Sequence, residues 1–242
     1  RLILGVNRGP VTFSAGADGK LRDRRGSGGV VTALSQVGEH VPVTWVAATM
    51  NDAERRAARD PEAVAMALPT DRVKLRLALV ERSVFEAAHN VIANPLLWFF
   101  QHEMWNLPER PMIDAPTMRA WQRGYVRLNE AFAEAILDEV PRGDREPRIM
   151  LHDYHLYLAA TTIRSARPDA ILSHFTHIPW PSSSLWQVLP PVIREEIARG
   201  LLANDIVGFQ TARYAHNFLR CVESFVPDAH VNFRSRTVTH DG

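Results

Sequence analysis

The chain has 242 residues, 46% of them hydrophobic and 23% charged, an ordinary globular balance. A net charge of +1 gives no field that would gather nucleic acid or an anionic membrane. No apolar run approaches the ~20 residues of a membrane span, and a single cysteine, Cys221, rules out an internal disulfide. Together with the lack of a signal peptide, these features lead us to expect a cytoplasmic protein. The chain begins at Arg1 rather than Met, which reads as a piece of a longer protein.

Arg1 to Val6 (RLILGV) is an apolar run, and Asn7, Arg8, Gly9 and Pro10 end it, so a first strand is expected there. The polar stretch from Gly9 to Arg25 reads as a long loop. Gly26, Ser27, Gly28 and Gly29 then open VVTALSQV, which has helical spacing. Strand, glycine-rich loop and helix suggest backbone amides that hold a phosphate. A surface turn fits the same residues, and no G-x-G-x-x-G or P-loop pattern decides between them.

Val43 to Ala48 is a second strand, with Trp45 inside it. A charged helix follows over Asn51 to Asp60, and Val73 to Val80 alternates like a half-exposed strand. Phe85 to Phe100 reads as a helix interrupted near Pro95, ending in the aromatic cluster LLWFFQHEMW, which suits a core or a cleft wall. The three prolines of Leu107 to Pro116 mark a loop. Pro116 to Val140 places Trp121, Tyr125, Leu128, Phe132 and Ile136 on one helical stripe.

Residues 148–181 are the centre of the sequence. Arg148 to Leu151 is a short buried strand, Tyr154 to Arg164 has helical spacing, and Ala170 to Phe175 is a second apolar strand. His152, Asp153 and His155 follow one strand; His174 and His177 follow the next. Ligands of open α/β sheets bind beyond the carboxyl ends of strands, so these residues mark a site. Ser182 and Thr211 suit helix caps, Asp205 to Phe209 a short strand, and Val231 to Val238 a final strand or hairpin. Alternating strands and helices predict an α/β, doubly wound parallel sheet.

Metal chemistry is disfavoured, because the two histidine pairs sit on different strand ends without a converging third or fourth ligand. No G-x-S-x-G elbow supports a serine nucleophile, and every kinase loop is missing. A sugar-handling cleft accounts for more: Asp153 can accept hydroxyl protons, His177 can donate, Trp45, Trp98 and Trp121 offer ring faces, and Arg8 can take an anion.

HDYHL (152–156), HIPWP (177–181) and GFQT (208–211) resemble the trehalose-6-phosphate synthase family of retaining glycosyltransferases. Asn7-Arg8, Gly28-Gly29, LLW (96–98) and W-x-x-G-Y-x-R-x-N (121–129) resemble it in the same order. The pseudo-glycosyltransferase that makes validoxylamine phosphate is similar too. The resemblance implies the N-terminal, acceptor-binding Rossmann-like domain of a GT-B fold over residues 1–242, with the nucleotide-binding domain outside this chain and the chain inactive alone. It implies hexosyl transfer from a nucleotide sugar such as UDP-glucose or GDP-glucose to glucose 6-phosphate, without a resident cofactor, metal, nucleic acid or membrane. Another sugar, cyclitol or polyol phosphate acceptor, a non-catalytic sugar-phosphate-binding role and a homo-oligomer stay open.

By the same resemblance, Asp153 and His177 are the catalytic pair. Asp153, Arg8, Trp45 and Trp121 bind the acceptor, and Gly28, Gly29 and His177 lie on the donor side. The family's phosphate-binding tyrosine falls at about Glu103, where a carboxylate would repel a phosphate; His102 or Trp105 could replace it after a loop shift, or the acceptor could differ from glucose 6-phosphate.

Overall fold

The computed structural model describes residues 1–68, 70–104 and 113–240. Its strands are β1 (Leu2–Gly5), β2 (Val11–Ala15), β3 (Leu21–Arg25), β4 (Val43–Ala48), β5 (Val73–Ala78), β6 (Arg148–His152), β7 (Ile171–Thr176), β8 (Ile206–Phe209), β9 (Ala229–Asn232) and β10 (Thr237–His240). Six of them form one sheet in the order β5-β4-β1-β6-β7-β8, with every neighbouring pair parallel. The sheet starts in the middle at β1, grows one way through β4 and β5, then reverses and grows the other way from β6. That is the Rossmann strand order, and β1/β6 is where it switches direction.

Both faces of the sheet are covered, which is why its central strands are apolar throughout rather than alternating. All six residues of β4 are buried. Leu4 and Trp45 pack on one face with Val31, Val64 and Leu75; Ile3 and Val46 pack on the other with Leu128, Phe132 and Ile149. A third, aromatic cluster of Trp121, Tyr125, Tyr157, Trp180 and Trp186 lies beyond β7 and β8. Among the described residues no helix is long and apolar enough to cross a membrane.

Four local expectations are corrected. The polar stretch after Gly9 is not a loop but an antiparallel hairpin of β2 and β3, with Thr12 opposite Arg24 and Ser14 opposite Arg22. Its second strand, LRDRR, is almost wholly exposed, so no apolar alternation betrays it. The helix after β5 is not interrupted at Pro95. It runs on from Arg82–Ala87 through Ala88–Trp98 to Phe99–Gln101, and Ala88–Trp98 is wound with wider i→i+5 turns that accommodate the proline. After β6 the helix begins at Ala159, not Tyr154; residues 153–158 are a turn. Ser182 precedes the helix Ser183–Trp186, but its hydroxyl meets Ser184 Oγ at 2.9 Å instead of capping.

Other caps behave as the residue types suggest. Thr211 accepts from the Tyr214 amide at 3.2 Å at the start of Ala212–Phe225. Asn51 Oδ1 accepts from Glu54 N while Glu54 Oε2 accepts from Met50 N, a reciprocal cap on Asp52–Ala57. The long helical run predicted over 116–140 is present as Ala115–Ala120, a wide-turned Trp121–Val126 and Arg127–Asp138. The expected final hairpin is β9 with β10. Most of the loop expected over Leu107 to Pro116 lies outside the described residues.

Candidate active site

At the switch point β1 and β6 part, and their carboxyl ends frame a cleft of about 200 Å³. From β1 come Asn7 and Arg8; from β6 come His152 to His155; Ser27 to Val31 close one side, and His89 and Asn94 the other. A larger concavity, about 820 Å³, runs along the β5 edge. It contains no histidine, and of its basic residues Arg1, Lys74 and Arg76 the last two are spent on Glu139 and Asp138. The titratable residues converge on the smaller cleft, and the site is placed there.

Asp153 is set by the end of the β6–β7 ladder. Its amide donates to Phe175 O at 2.9 Å, its carbonyl accepts from Leu156 N at 3.1 Å, and its φ is +68°. Aspartate is among the few residues that adopt this left-handed conformation readily. The turn aims its carboxylate across to the neighbouring strand end, where Oδ1 accepts from the His177 amide at 3.1 Å. Burial pushes the carboxyl up to about 6, opposed by the amides of His177, Tyr154 and Ile178. Asp153 is therefore largely ionised at neutral pH, and it is anchored.

His177 stands half-buried beyond β7, with its ring stacked on His152 and tilted against Phe175. Its Nε2 lies 3.0 Å from His152 Nδ1. Burial lowers both imidazoles; His152, also facing His177, falls to about 3. His155 likewise falls to about 3, through burial, His89 and Arg8 in that order.

Arg8 is exposed, and its guanidinium has no carboxylate partner among the described residues. It lowers His89 after burial has done so. The Arg8 carbonyl is held by the indole N–H of Trp45 at 3.0 Å. Across the cleft, Tyr154 Oη donates to Asn94 Oδ1 at 3.0 Å, so the Asn94 amide N–H is free to donate to His89 Nε2, also at 3.0 Å. His89 and Asn94 are five residues apart. In an α-helix they would diverge by roughly 140°; the wide turns of Ala88–Trp98 bring them together. Sequence reasoning missed this pair for that reason. Their only prior signal is a polar His and Asn within an otherwise apolar helix.

Gly28 has φ +125°, and the helix Gly29–His40 starts without a side-chain cap. The space beside Gly28 and Gly29 is open, since a Cβ on either would meet nothing within 4 Å. Uncapped amides and the helix dipole favour an anion there.

Three of the expected site residues lie elsewhere. Trp45 is 1% exposed and packs in the core beneath the cleft, supporting Arg8 rather than offering a ring face. Trp121 is fully buried, stacked on Tyr125, and its indole N–H donates to Glu196 at 2.6 Å. Glu103 is exposed at the end of Phe99–Gln101, with φ +58°, and does not line the cleft. Its carboxylate therefore places no negative charge in the lining of that cleft. His102 packs against Trp98 with ring centroids 4.1 Å apart, and Trp105 lies outside the described residues. Among the described residues no group of three or more His, Cys, Asp or Glu could hold a metal ion.

The fold is that of the N-terminal Rossmann-like domain of GT-B glycosyltransferases. The solved trehalose-6-phosphate synthase OtsA superposes with a TM-score of 0.75 at 21% identity, over 99% of this chain and 46% of its own. The glycosyltransferase family 20 profile matches residues 1–242, and the chain belongs to that family. It is 30% identical over its whole length to the validamine 7-phosphate valienyltransferase of Streptomyces hygroscopicus subsp. jinggangensis, covering 49% of that protein. It is 32% identical over 91% of its length to the UDP-forming alpha,alpha-trehalose-phosphate synthase A of Dictyostelium discoideum, covering 28% of that protein. The chain spans about half or less of the length of these curated relatives.

Proposed function

We propose that this domain forms the acceptor side of a retaining transferase that moves a hexosyl or related cyclitol group from a nucleotide sugar, such as UDP-glucose or GDP-glucose, to a phosphorylated sugar or cyclitol. The observation that carries the reading is Asp153. It is a carboxylate fixed through the His177 amide in the switch-point cleft, which it shares with Arg8, without a carboxylate partner among the described residues, and the helix end at Gly28. Arg8 supplies a cation for an acceptor phosphate, Asp153 accepts hydroxyl hydrogens, and the Gly28–Gly29 amides meet the donor diphosphate. The family resemblance supports a front-side displacement. The bond from the sugar carbon to the leaving phosphate breaks, the acceptor oxygen bonds that carbon, and the hydroxyl proton passes to the leaving phosphate. Asp153 orients the acceptor in this scheme, and no nucleophile of the protein is needed.

The nucleotide half is proposed to lie outside this chain and the reaction to run in the cytoplasm. The two curated relatives differ in what they are named for, one a trehalose phosphate and one validamine 7-phosphate, so the acceptor class is the open term of the proposal. The test uses the protein of the complete reading frame. Nucleoside diphosphate release is followed with UDP- and GDP-glucose against glucose 6-phosphate and a cyclitol phosphate. Release that requires a phosphorylated acceptor supports the reading. No release across the panel, with sugar-phosphate binding retained, would point instead to a binding domain without turnover.

A further inference from the structure

His152 is 1% exposed, and its Nδ1 lies 3.0 Å from His177 Nε2. Burial keeps both imidazoles neutral at working pH. A neutral pair shares one proton across such a bond, so one ring donates and the other accepts. The other nitrogen of His152, Nε2, is buried with no partner among the described residues. If His177 donated, His152 would carry its proton on that orphaned nitrogen. A buried N–H without an acceptor is rarer than an unfilled acceptor, because the bond it gives up in water is not replaced. The lower-cost arrangement has His152 Nδ1–H donating and His177 Nε2 accepting. His177 must then carry its own proton on Nδ1, which no described group engages.

We propose that His152 is a positioning residue that fixes His177 in the Nδ1–H tautomer, so that the open side of His177 presents an N–H donor to an oxygen of the nucleotide-sugar donor. The function of that donor rests on the transferase reading given above; the tautomer does not. The surroundings suit the task. The two rings are stacked with centroids 5.3 Å apart, and Phe175 backs His177 at 4.8 Å. The His177 amide is tied to Asp153. The backbone of His177 is fixed by Asp153 and its ring by His152, at the end of β6, so the donor-side imidazole is located by the acceptor-side carboxylate and the residue before it.

The experiment reads the tautomer directly. Long-range proton–nitrogen spectra of the protein of the complete reading frame, labelled with ¹⁵N-histidine, are recorded at neutral pH without ligand. Wild type is expected to show His177 protonated at Nδ1 and bare at Nε2. In His152→Phe, which fills the space without a donor, His177 should shift to a mixture dominated by Nε2–H. In His152→Asn, whose amide N–H can stand near the former Nδ1–H, the wild-type pattern should return. A wild-type His177 protonated at Nε2 overturns the proposal. So does an undiminished Nδ1–H in a His152→Phe chain whose methyl spectrum superposes on wild type. If the Phe variant does not fold, the wild-type spectrum and the Asn variant decide. Failure of the transferase reading would appear in the nucleoside diphosphate assay and leave these spectra unchanged.

Discussion

At the scale of single residues, Asp153 carries the most chemistry. Its positive φ makes asparagine the informative replacement, since alanine would add backbone strain to the loss of charge. Asp153→Asn is expected to weaken glucose 6-phosphate or cyclitol phosphate binding about tenfold or more, the cost of charge-assisted hydrogen bonds at roughly 1.5–3 kcal/mol each. Titration calorimetry on the wild-type and Asn chains checks this. Because burial raises the carboxyl to about 6 and a phosphate monoester has its own second pKa at ~6, binding should weaken as pH falls through that window in both chains, and more steeply in wild type than in the Asn variant. Equal steepness in the two chains would remove Asp153 from the role. Much at this scale was legible beforehand, since polar and titratable residues placed just after apolar runs locate strand ends. Trp45 and Trp121 show the limit. Residue type announces a large ring, but only packing tells whether it faces a cleft or a core.

At the scale of elements, the sheet strands were readable because each is a short apolar run or, for β5, an alternating one, with turn residues beside it. The β2–β3 hairpin was not, because backbone pairing holds it rather than a buried face. The wide-turned helices were not either. A 3.6-residue period cannot reveal turns that close five residues on, and the His89–Asn94 pair depends on them. These helices also meet closely. A Cβ on Gly124 would sit 2.7 Å from both Ala87 Cβ and Ala88 N, and the second of these is backbone that cannot yield cheaply. Gly124→Ala is expected to cost about 1–3 kcal/mol through overpacking, read as a lower urea midpoint at unchanged slope. An unaltered midpoint would mean that the two helices can separate at no cost.

For the whole molecule, buried histidines set the response to acid. Burial takes His152, His155 and His174 down to about 3. Their folded values lie below the unfolded value near 6.5, so the unfolded chain binds more protons between those limits. Stability is complete above about pH 6.5 and is lost as pH falls. Asp153 acts in the opposite sense, since its folded value of about 6 exceeds 3.8 and the folded state takes up a proton first. His89 and His177, also lowered by burial, push the same way as these three, and Glu54, raised by burial, pushes with Asp153. The histidines outnumber the carboxyls, so stability should fall from pH 7 to 5, at about 1.4 kcal/mol per pH unit for each unbalanced proton. Urea midpoints between pH 7 and 5 test this, and a flat profile would contradict it. The doubly wound architecture itself was legible, because it follows from the order of strands and helices. The location of the larger edge concavity was not, because it depends on how Pro61–Met66 seats against β5.

The strand order has one more consequence, for the growing chain on the ribosome. β1 is made first but lies at the centre of the sheet, paired on one side with Val43–Val46 and on the other with Arg148–Leu151. Until β6 has left the exit tunnel, one flank of β1 has no hydrogen-bonding partner. At about 5–20 residues per second that wait is on the order of ten seconds. Nascent chains stalled before Arg148 should therefore stay open to protease and bind trigger-type chaperones, and chains stalled well past Thr176 should resist both.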